Sequence, residues 1–346
     1  MTRPDESRAP SIPLSVAPMM DRTDRHFRYI MRQMTKKTLL YTEMVTTGAV
    51  IHGERERIIG YNPIEKPLVL QVGGDDPKAL TECARIAEGE GYDEININVG
   101  CPSDRVQNGN FGACLMSQPE LVAEGVAQMR KAVKIPVTVK HRIGIDDFDS
   151  YEFMLKFVDT VSQSGADRFS VHARKAFLQG LSPKENRTVP PLRYEDVYRL
   201  KRERPDLWIE INGGIRTLAA TQEHLQHVDG VMIGRAAYED PYIFARADKD
   251  IFHDESANVP SREDVVLACV DYANAWLKKG GRLHAISRHL LTMFAHQPGA
   301  RAFRRYISEH APRSGSDATI LIEAIKRMQD ARPPQVSEPE TTAASL

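Results

Sequence analysis

The chain has 346 residues, of which 41% are hydrophobic, and its 46 basic and 47 acidic residues leave a net charge of −1. This composition supports a sizeable core and excludes a wholly disordered or collagen-like chain, and the balanced charge means that a polyanion must be met by a local basic patch. There is no apolar run of 18 residues and no hydrophobic segment near the start, so we expect a cytoplasmic protein without a membrane anchor.

Short β-rich runs alternate with stretches of helical periodicity along most of the chain. Eight strands are predicted, at residues 14–16, 39–41, 68–72, 94–99, 137–140, 169–172, 208–212 and 230–234. The helices predicted between them include residues 77–90, 120–133, 151–164, 194–204 and 218–227. Eight strand–helix units in about 245 residues favour an α/β fold of the (β/α)8 TIM barrel type over an open doubly wound sheet.

The strand pattern stops near residue 258, and only helical spacing follows. Ser261 and Asp264 form a predicted capping box at the start of the first of these helices. We therefore expect a small all-α helical domain after the barrel, and then a segment with too little apolar surface to fold. The predicted organisation is an N-terminal extension (1–11), a barrel (12–257), a helical domain (258–332) and a disordered tail (333–346).

The four cysteines lack the spacing of a zinc site or of a disulfide framework. Cys83 and Cys269 lie in periodic apolar runs, where buried reduced thiols are expected. Cys101 instead lies in a loop after strand four, and the glycines that follow it predict a mobile lid up to Met116. Because a thiol with a reference pKa of about 8.5 is mostly protonated at neutral pH, Cys101 is a candidate acid.

Polar side chains or glycines follow nearly every predicted strand. The carboxyl ends of the strands form the active-site face of a (β/α)8 barrel, so these residues should meet in one mouth. They are Ala17-Pro18-Met19-Met20 after strand one, Tyr41 and Glu43 after strand two, and Gln71, Asn98, Lys140, His172, Asn212 and Gly234-Arg235 at strands three to eight. Any one of them is more simply a strand end that turns to solvent, but a ring of six favours a ligand site.

The ends of strands seven and eight have the composition of a phosphate site. Glycine amides at Gly213-Gly214 and in Gly234-Arg235 can approach phosphate oxygens, and the arginine adds a charge-assisted pair, although either glycine group alone fits a tight turn equally well. Together with donors at Lys140, Gln71 and Asn98 they indicate flavin mononucleotide (FMN), since a lysine beside the ring stabilises the anionic reduced form. No G-x-G-x-x-G motif follows any strand, so a resident dinucleotide is not indicated.

Five segments resemble the tRNA-dihydrouridine synthase family, specifically its A subgroup. They are Ala17–Asp24, Asn98–Ser103, Asn110–Leu115, Val139–Arg142 and Leu181–Arg187, and the second (NVGCPS) and the last (LSPKENR) are the most specific. The resemblance extends from about Pro13 to Met328. It implies an FMN enzyme that uses NADPH to reduce uridines of the tRNA D-loop, at positions 20 and 20a, to 5,6-dihydrouridine.

The resemblance also implies roles for single residues. Cys101 matches the proton donor to uracil C5, and Asn98 faces the substrate. The matches to flavin contacts are Pro18, Met19, Met20, Gln71, Lys140, His172, Asn212, Gly213, Gly214, Gly234 and Arg235. The matches to tRNA contacts in the loop after strand six are Lys184, Asn186 and Arg187. Arg174 is a candidate to hold a uracil carbonyl or a phosphate, although a surface ion pair fits it equally well.

The predicted helical domain is the basic part of the chain. Residues 256–332 contain twelve Lys and Arg against seven Asp and Glu, and residues 282–313 contain six Arg against one Glu. Arg301 and Arg305 share one face of a predicted helix, and Arg304 lies beside them in the sequence. A charged helix face is usually only solvated, but beside a uridine-reducing site it favours tRNA binding.

Two other functions stay open at the level of the sequence. A flavin oxidoreductase acting on a free pyrimidine would share the barrel site but would not need residues 258–332. A catalytically silent RNA-binding scaffold would have no use for the ring of strand-end residues or for Cys101. A metal-dependent hydrolase fits less well, because strand one ends in Pro18-Met19 without a His-x-His pair. We expect FMN, NADPH and tRNA as ligands, neither metal nor membrane contact, and a monomer.

Overall fold

The computed structural model describes residues 12–103 and 109–333. The chain divides into two compact units, residues 1–260 and 261–346. The predicted N-terminal extension, nearly all of the predicted tail and residues 104–108 of the predicted lid lie outside the described residues. Within them, no helix is long and apolar enough to cross a membrane.

The first unit is a parallel (β/α)8 barrel, as predicted. Its strands are β1 (Leu14–Val16), β2 (Leu40–Tyr41), β3 (Val45–Thr46), β4 (Leu68–Gly73), β5 (Glu94–Val99), β6 (Val137–Arg142), β7 (Phe169–His172), β8 (Ile209–Asn212) and β9 (Gly230–Ile233). They pair in the order β1-β9-β8-β7-β6-β5-β4-β2, and the short β3 pairs with the end of β4. The barrel closes at Leu39, whose N–H donates to Leu14 O (3.0 Å) and whose carbonyl accepts from Val16 N–H (2.9 Å).

Ten α-helices are described in this unit. They are α1 (Arg25–Met34), α2 (Thr47–His52), α3 (Arg55–Ile58), α4 (Pro77–Gly89), α5 (Pro119–Ala132), α6 (Tyr151–Ser162), α7 (Tyr194–Glu203), α8 (Leu218–His224), α9 (Arg235–Glu239) and α10 (Ala247–Asp250). Polar caps determine where several begin: Asp24 accepts from the first-turn amides of α1, and Ser150 Oγ accepts from Phe153 N–H (3.1 Å) in α6. These caps end the loops that follow the strands, so they limit how far each loop extends over the barrel mouth.

The second unit is helical. It contains α11 (Arg262–Lys278), α12 (Leu283–Ser287), α13 (Ala300–His310) and α14 (Thr319–Asp330). The capping box is present: Ser261 Oγ accepts from Asp264 N–H (3.0 Å), and the Asp264 carboxylate accepts from Ser261 N–H (3.1 Å). The rings of Phe294 and Phe303 pack edge to face in its core with centroids 4.7 Å apart.

The barrel interior is polar at its floor, the N-terminal ends of the strands. Glu94 and Arg168 are both buried there, and the Arg168 Nη2 lies 2.5 and 2.6 Å from the two carboxylate oxygens. A second buried carboxylate, Glu210, accepts from Ser15 Oγ (2.6 Å) and from Ser170 Oγ. Because an unbonded buried polar group is costly, these partners are required by one another.

Replacing Arg168 by Met should destabilise the barrel by about 3–5 kcal/mol, because Glu94 would stay buried without its counter-charge. Burial raises the pKa of Glu94 even with Arg168 beside it, so the variant should raise that pKa further. A carboxyl group whose folded-state pKa is raised costs stability as the pH rises above its unfolded value of about 4.3. Urea unfolding should therefore show a larger loss at pH 8 than at pH 5.

The matched control is Arg55→Met, which breaks the exposed Arg55–Glu90 pair and should change the unfolding free energy by no more than about 0.5 kcal/mol. Adding Glu94→Gln to Arg168→Met should make the loss of unfolding free energy equal at pH 5 and pH 8. Equal losses at both pH values in the single variant would contradict an unpaired carboxylate as the cause.

Candidate active site

A cavity of about 660 Å³ opens at the carboxyl ends of the strands. This volume lies within the range of about 300–1,000 Å³ that ligand pockets occupy. Every residue that the sequence predicted to contact a flavin lines it, and so do Asn98, Cys101 and Arg187. The structure therefore brings predicted residues from seven strand ends into the lining of one cavity. Three other predicted residues, Lys184, Asn186 and Arg174, do not line it.

Positive charge dominates the wall of this cavity. Within residues 12–103 and 109–333, six basic side chains line it against a single carboxylate, that of Asp21. The basic residues are Arg22, Lys140, Arg142, Arg187, Arg216 and Arg235. Such an excess of positive charge in a concave site favours an anionic ligand. The described part of the chain contains no group of three or more His, Cys, Asp or Glu placed to hold a metal ion.

Lys140 carries one of these charges into the barrel. Its Nζ lies 3.3 Å from the amide oxygen of Asn212, whose Nδ2 donates to the carbonyl of Met232 (2.8 Å). Burial and the neighbouring Arg142 lower the pKa of Lys140 to about 8. Burial and the same arginine hold the pKa of His172 well below its ordinary value, so that His172 is neutral at pH 7. An anion beside Lys140 would restore the stability of its charged form.

The glycines after β8 and β9 are required for different reasons. Gly213 and Gly214 have φ angles of 123° and 72°, and a Cβ at either would lie 2.9 or 2.6 Å from Leu192. At Gly234 an added Cβ would meet nothing closer than the Cβ of Ala17 at 3.7 Å. Backbone conformation and packing thus account for the first pair, while Gly234 leaves room for a ligand at the backbone.

Cys101 lies half-buried in the loop after β5. The Asn98 Oδ1 accepts from the N–H groups of Gly100 (3.0 Å) and Cys101 (2.9 Å), and the Cys101 carbonyl accepts from Ala113 N–H (2.9 Å). The thiol has the hydroxyl of Ser103 at 3.5 Å. The backbone on both sides of this thiol is therefore anchored.

Arg142 is a further cavity residue, which the strand-end pattern of the sequence did not include. It is buried, and its Nε donates to Gly100 O (2.8 Å) while its Nη1 donates to the carbonyls of Lys175 and Asn186 (both 3.0 Å). One guanidinium therefore links the loop after β5 to the loop after β7. Strand alternation could have identified it, because Arg142 lies two residues after Lys140 and must face the same side of β6.

The predicted tRNA contacts in the loop after β7 have different surroundings. Lys184 is exposed, whereas Arg187 lines the cavity and its buried Nε has no partner in the described part of the chain. Asn186 is fully buried, and its amide bonds both backbone polar groups of Phe177 (2.7 and 2.9 Å) and the carbonyl of Leu181 (3.1 Å). Its side chain is therefore closed to solvent in this structure and shapes the loop, so the burial gives no support to its predicted contact with tRNA.

Two further expectations change because the side chains concerned are buried. Arg174 is buried and donates to the carbonyls of Pro190 and, at 3.4 Å, Thr188, so the surface ion pair considered for it is not what the structure shows. Tyr41 does not reach the mouth. Its hydroxyl lies inside the barrel, where it accepts from Arg168 Nη2 (3.0 Å). Both side chains were placed by backbone or interior partners that are distant in sequence.

The helical unit carries the predicted basic face on α13. Arg301, Arg304 and Arg305 are exposed, while Phe303 and Ile307 of the same helix are buried. The ion pairs found within the described residues include none of the three arginines. Their charges are therefore available to an anionic partner.

Known proteins are similar in sequence to this chain along most of its length. The family model described as dihydrouridine synthase (Dus) matches residues 15–329. Proteins named tRNA-dihydrouridine(20/20a) synthase are 60% identical over 314 residues in Synechocystis sp. and 55% identical over 319 residues in Escherichia coli K12. These alignments cover 91% and 92% of this chain, and 94% and 92% of those proteins.

Among solved structures, a complex of 2-naphthoyl-CoA reductase with 2-naphthoyl-CoA superposes with a TM-score of 0.53 at 10% identity. The superposition covers 68% of this chain and 50% of that one. At this identity the likeness concerns the fold alone, which is the barrel.

Proposed function

Because this chain belongs to the dihydrouridine synthase family, we propose that it reduces uridines at positions 20 and 20a of the tRNA D-loop to 5,6-dihydrouridine, with FMN as cofactor and NADPH as reductant. The substrate positions are those in the names of its relatives. The observation that carries the proposal is the cavity in which the Cys101 thiol shares a wall with desolvated cations from the strand ends.

The cavity has the charges and donors that FMN requires. Open space at Gly234 and the guanidinium of Arg235 suit a phosphate. The ammonium of Lys140 suits an anionic ring, because burial lowers its pKa and an anion beside it would stabilise its charge. When bound, FMN reduced by NADPH supplies the hydride that uracil C6 accepts. The residues that would hold it are Pro18, Met19, Met20, Gln71, Lys140, His172, Asn212, Gly213, Gly214, Gly234 and Arg235.

Cys101 acts on the uracil as the proton donor. Hydride addition at C6 leaves negative charge at C5 and on the C4 oxygen, so C5 must receive a proton. The Cys101 thiol carries an S–H that can supply this proton. Asn98 lines the same cavity, and the guanidinium groups of Arg142 and Arg187 can stabilise the developing negative charge.

We assign tRNA binding to two basic surfaces. Lys184 and Arg187 lie in the loop after β7, which contributes to the cavity wall. Arg301, Arg304 and Arg305 form the exposed face of α13 in the helical unit. The family match continues to residue 329 through that unit, which an oxidoreductase for free pyrimidines would not need. The cavity likewise speaks against a scaffold that only binds RNA.

The first prediction concerns FMN affinity and Lys140. Purified protein should be yellow, and the Kd for FMN should rise as the pH increases through about 8, because the ammonium of the free site then loses its proton and its attraction for an anion. Fluorescence titration of FMN between pH 7 and 9 measures this. Lys140→Met should bind more weakly with a nearly flat profile over this range. Parallel pH profiles in the two proteins would show that another group titrates.

The second prediction separates the two half-reactions. Cys101→Ala should leave reduction of the flavin by NADPH near normal, while reoxidation by tRNA slows by roughly 10² to 10⁴, the span for a lost general acid. Stopped-flow absorbance follows both steps. Cys114→Ala is the matched control and should be much milder. If Cys101→Ala slowed both half-reactions equally, the thiol would be holding the flavin or the fold instead.

The third prediction concerns tRNA affinity. Each Lys or Arg that neutralises a phosphate adds about 0.7–0.9 to the slope of log K against log salt. Arg301→Ala with Arg305→Ala should therefore flatten the slope by roughly 1.5 and weaken binding at moderate salt, as measured by filter binding. Reduction of the flavin by NADPH should be unaffected.

Arg327→Ala provides a control in the same unit, because Arg327 is already paired with Glu323 at 2.8 Å. It should leave the slope nearly unchanged. An unchanged slope in the double variant would mean that the α13 face is only solvated.

A further inference from the structure

We propose that Thr138 and Asn96, which lie inside the barrel, are positioning residues that orient the Cys101 loop through a one-directional chain of hydrogen bonds. Both side chains are fully buried, and neither lines the cavity. The proposal rests on the proposed function only where activity is the readout.

The chain of hydrogen bonds runs from the barrel floor to the mouth without a gap. Thr138 Oγ1 donates to Glu94 Oε1 (2.5 Å) and accepts from Asn96 Nδ2 (2.8 Å). Asn96 Oδ1 accepts from Gln71 Nε2 (2.8 Å), and Gln71 Oε1 accepts from Asn98 Nδ2 (2.9 Å). The chain ends where Asn98 Oδ1 accepts from the backbone N–H groups of Gly100 and Cys101.

The direction of this chain follows from its anchor. Arg168 Nη2 donates to both oxygens of Glu94 (2.5 and 2.6 Å), so these oxygens act as acceptors in the pair and the single hydroxyl hydrogen of Thr138 is used there. Thr138 Oγ1 can then only accept from Asn96, which must point its NH2 group downward and its carbonyl at Gln71. The same logic passes through Gln71 and leaves the carbonyl of Asn98 facing the loop.

A reversal at any step would place two donors or two acceptors against each other. If Asn96 turned over, its NH2 group would face the NH2 group of Gln71, and Gln71 would have to turn as well. Asn98 would then present its NH2 group to the N–H groups of Gly100 and Cys101, and the loop would lose both bonds. Hydroxyl and amide side chains below the cavity therefore decide the position of the thiol at its wall.

A matched pair at Thr138 tests this. Thr138→Val removes the hydroxyl at nearly constant shape, and Thr138→Ser retains it. Ser170→Ala is the control, since Ser170 also donates to a buried glutamate, Glu210, but has no place in the chain. Asn96→Ala, which removes the acceptor of Gln71, decides the question independently if Thr138→Val does not fold.

The first readout is alkylation of Cys101 by iodoacetamide in the full-length protein as purified, followed by peptide mass spectrometry. Thr138→Val and Asn96→Ala should raise its rate roughly 3- to 10-fold, the factor expected for release of about one net hydrogen bond. Thr138→Ser and Ser170→Ala should stay within about twofold of the wild type, a difference too small to represent such a bond.

The second readout is the split between half-reactions. Thr138→Val should slow tRNA-driven flavin reoxidation by roughly 10-fold, about the effect of one misaligned hydrogen bond, with little change in NADPH-driven reduction. If the wild type shows no tRNA-driven reoxidation, the proposed function fails, and the alkylation rates still decide this proposal. Unchanged alkylation in folded Thr138→Val or Asn96→Ala, or equal acceleration in Ser170→Ala or Thr138→Ser, overturns it.

Discussion

A buried carboxylate accepts hydrogen bonds and cannot donate them, and this barrel holds two of them at its floor, Glu94 and Glu210. Each polar neighbour must therefore point a donor downward, and an amide that does so presents its carbonyl upward. The chain from Glu94 through Asn96 reaches Asn98 in this way. The direction in which the Asn98 amide points at the mouth is thus a consequence of the carboxylate at the opposite end of the strands.

Whereas the floor of the barrel holds buried carboxylates, the mouth holds buried cations. Lys140 and Arg142 are desolvated there, and burial lowers the pKa of Lys140 to about 8 and that of Arg142 to about 10. Among the described residues these desolvated cations share the cavity with a single carboxylate, an arrangement that is unfavourable in an isolated protein and becomes favourable when an anion enters. The site is therefore built to be completed by a negatively charged ligand, which agrees with the cofactor and the polyanionic substrate proposed here.

Local patterns in the sequence were sufficient to predict most of this arrangement. The strand positions follow from short apolar runs. The five helices predicted between the strands begin and end within a turn of their observed limits. A parallel barrel brings strand ends together whatever the details of packing, so the residues of the cavity could be listed before their contacts were known. The strand-end pattern did not include Arg142, although strand alternation with Lys140 already placed it on the inner face.

What the sequence determined by itself is therefore the type of most elements, the alternation of residues between the two sides of a strand, and the residue types gathered at the mouth. Only the tertiary structure decided the partner of each polar side chain. Arg142 binds a carbonyl 44 positions away, and Arg168 binds a hydroxyl 127 positions away. Asn186 resembles a surface contact in the sequence but is buried, because its loop folds around its amide. Periodicity is a property of neighbouring residues, whereas a hydrogen bond is satisfied by whichever atom the fold brings within about 3 Å.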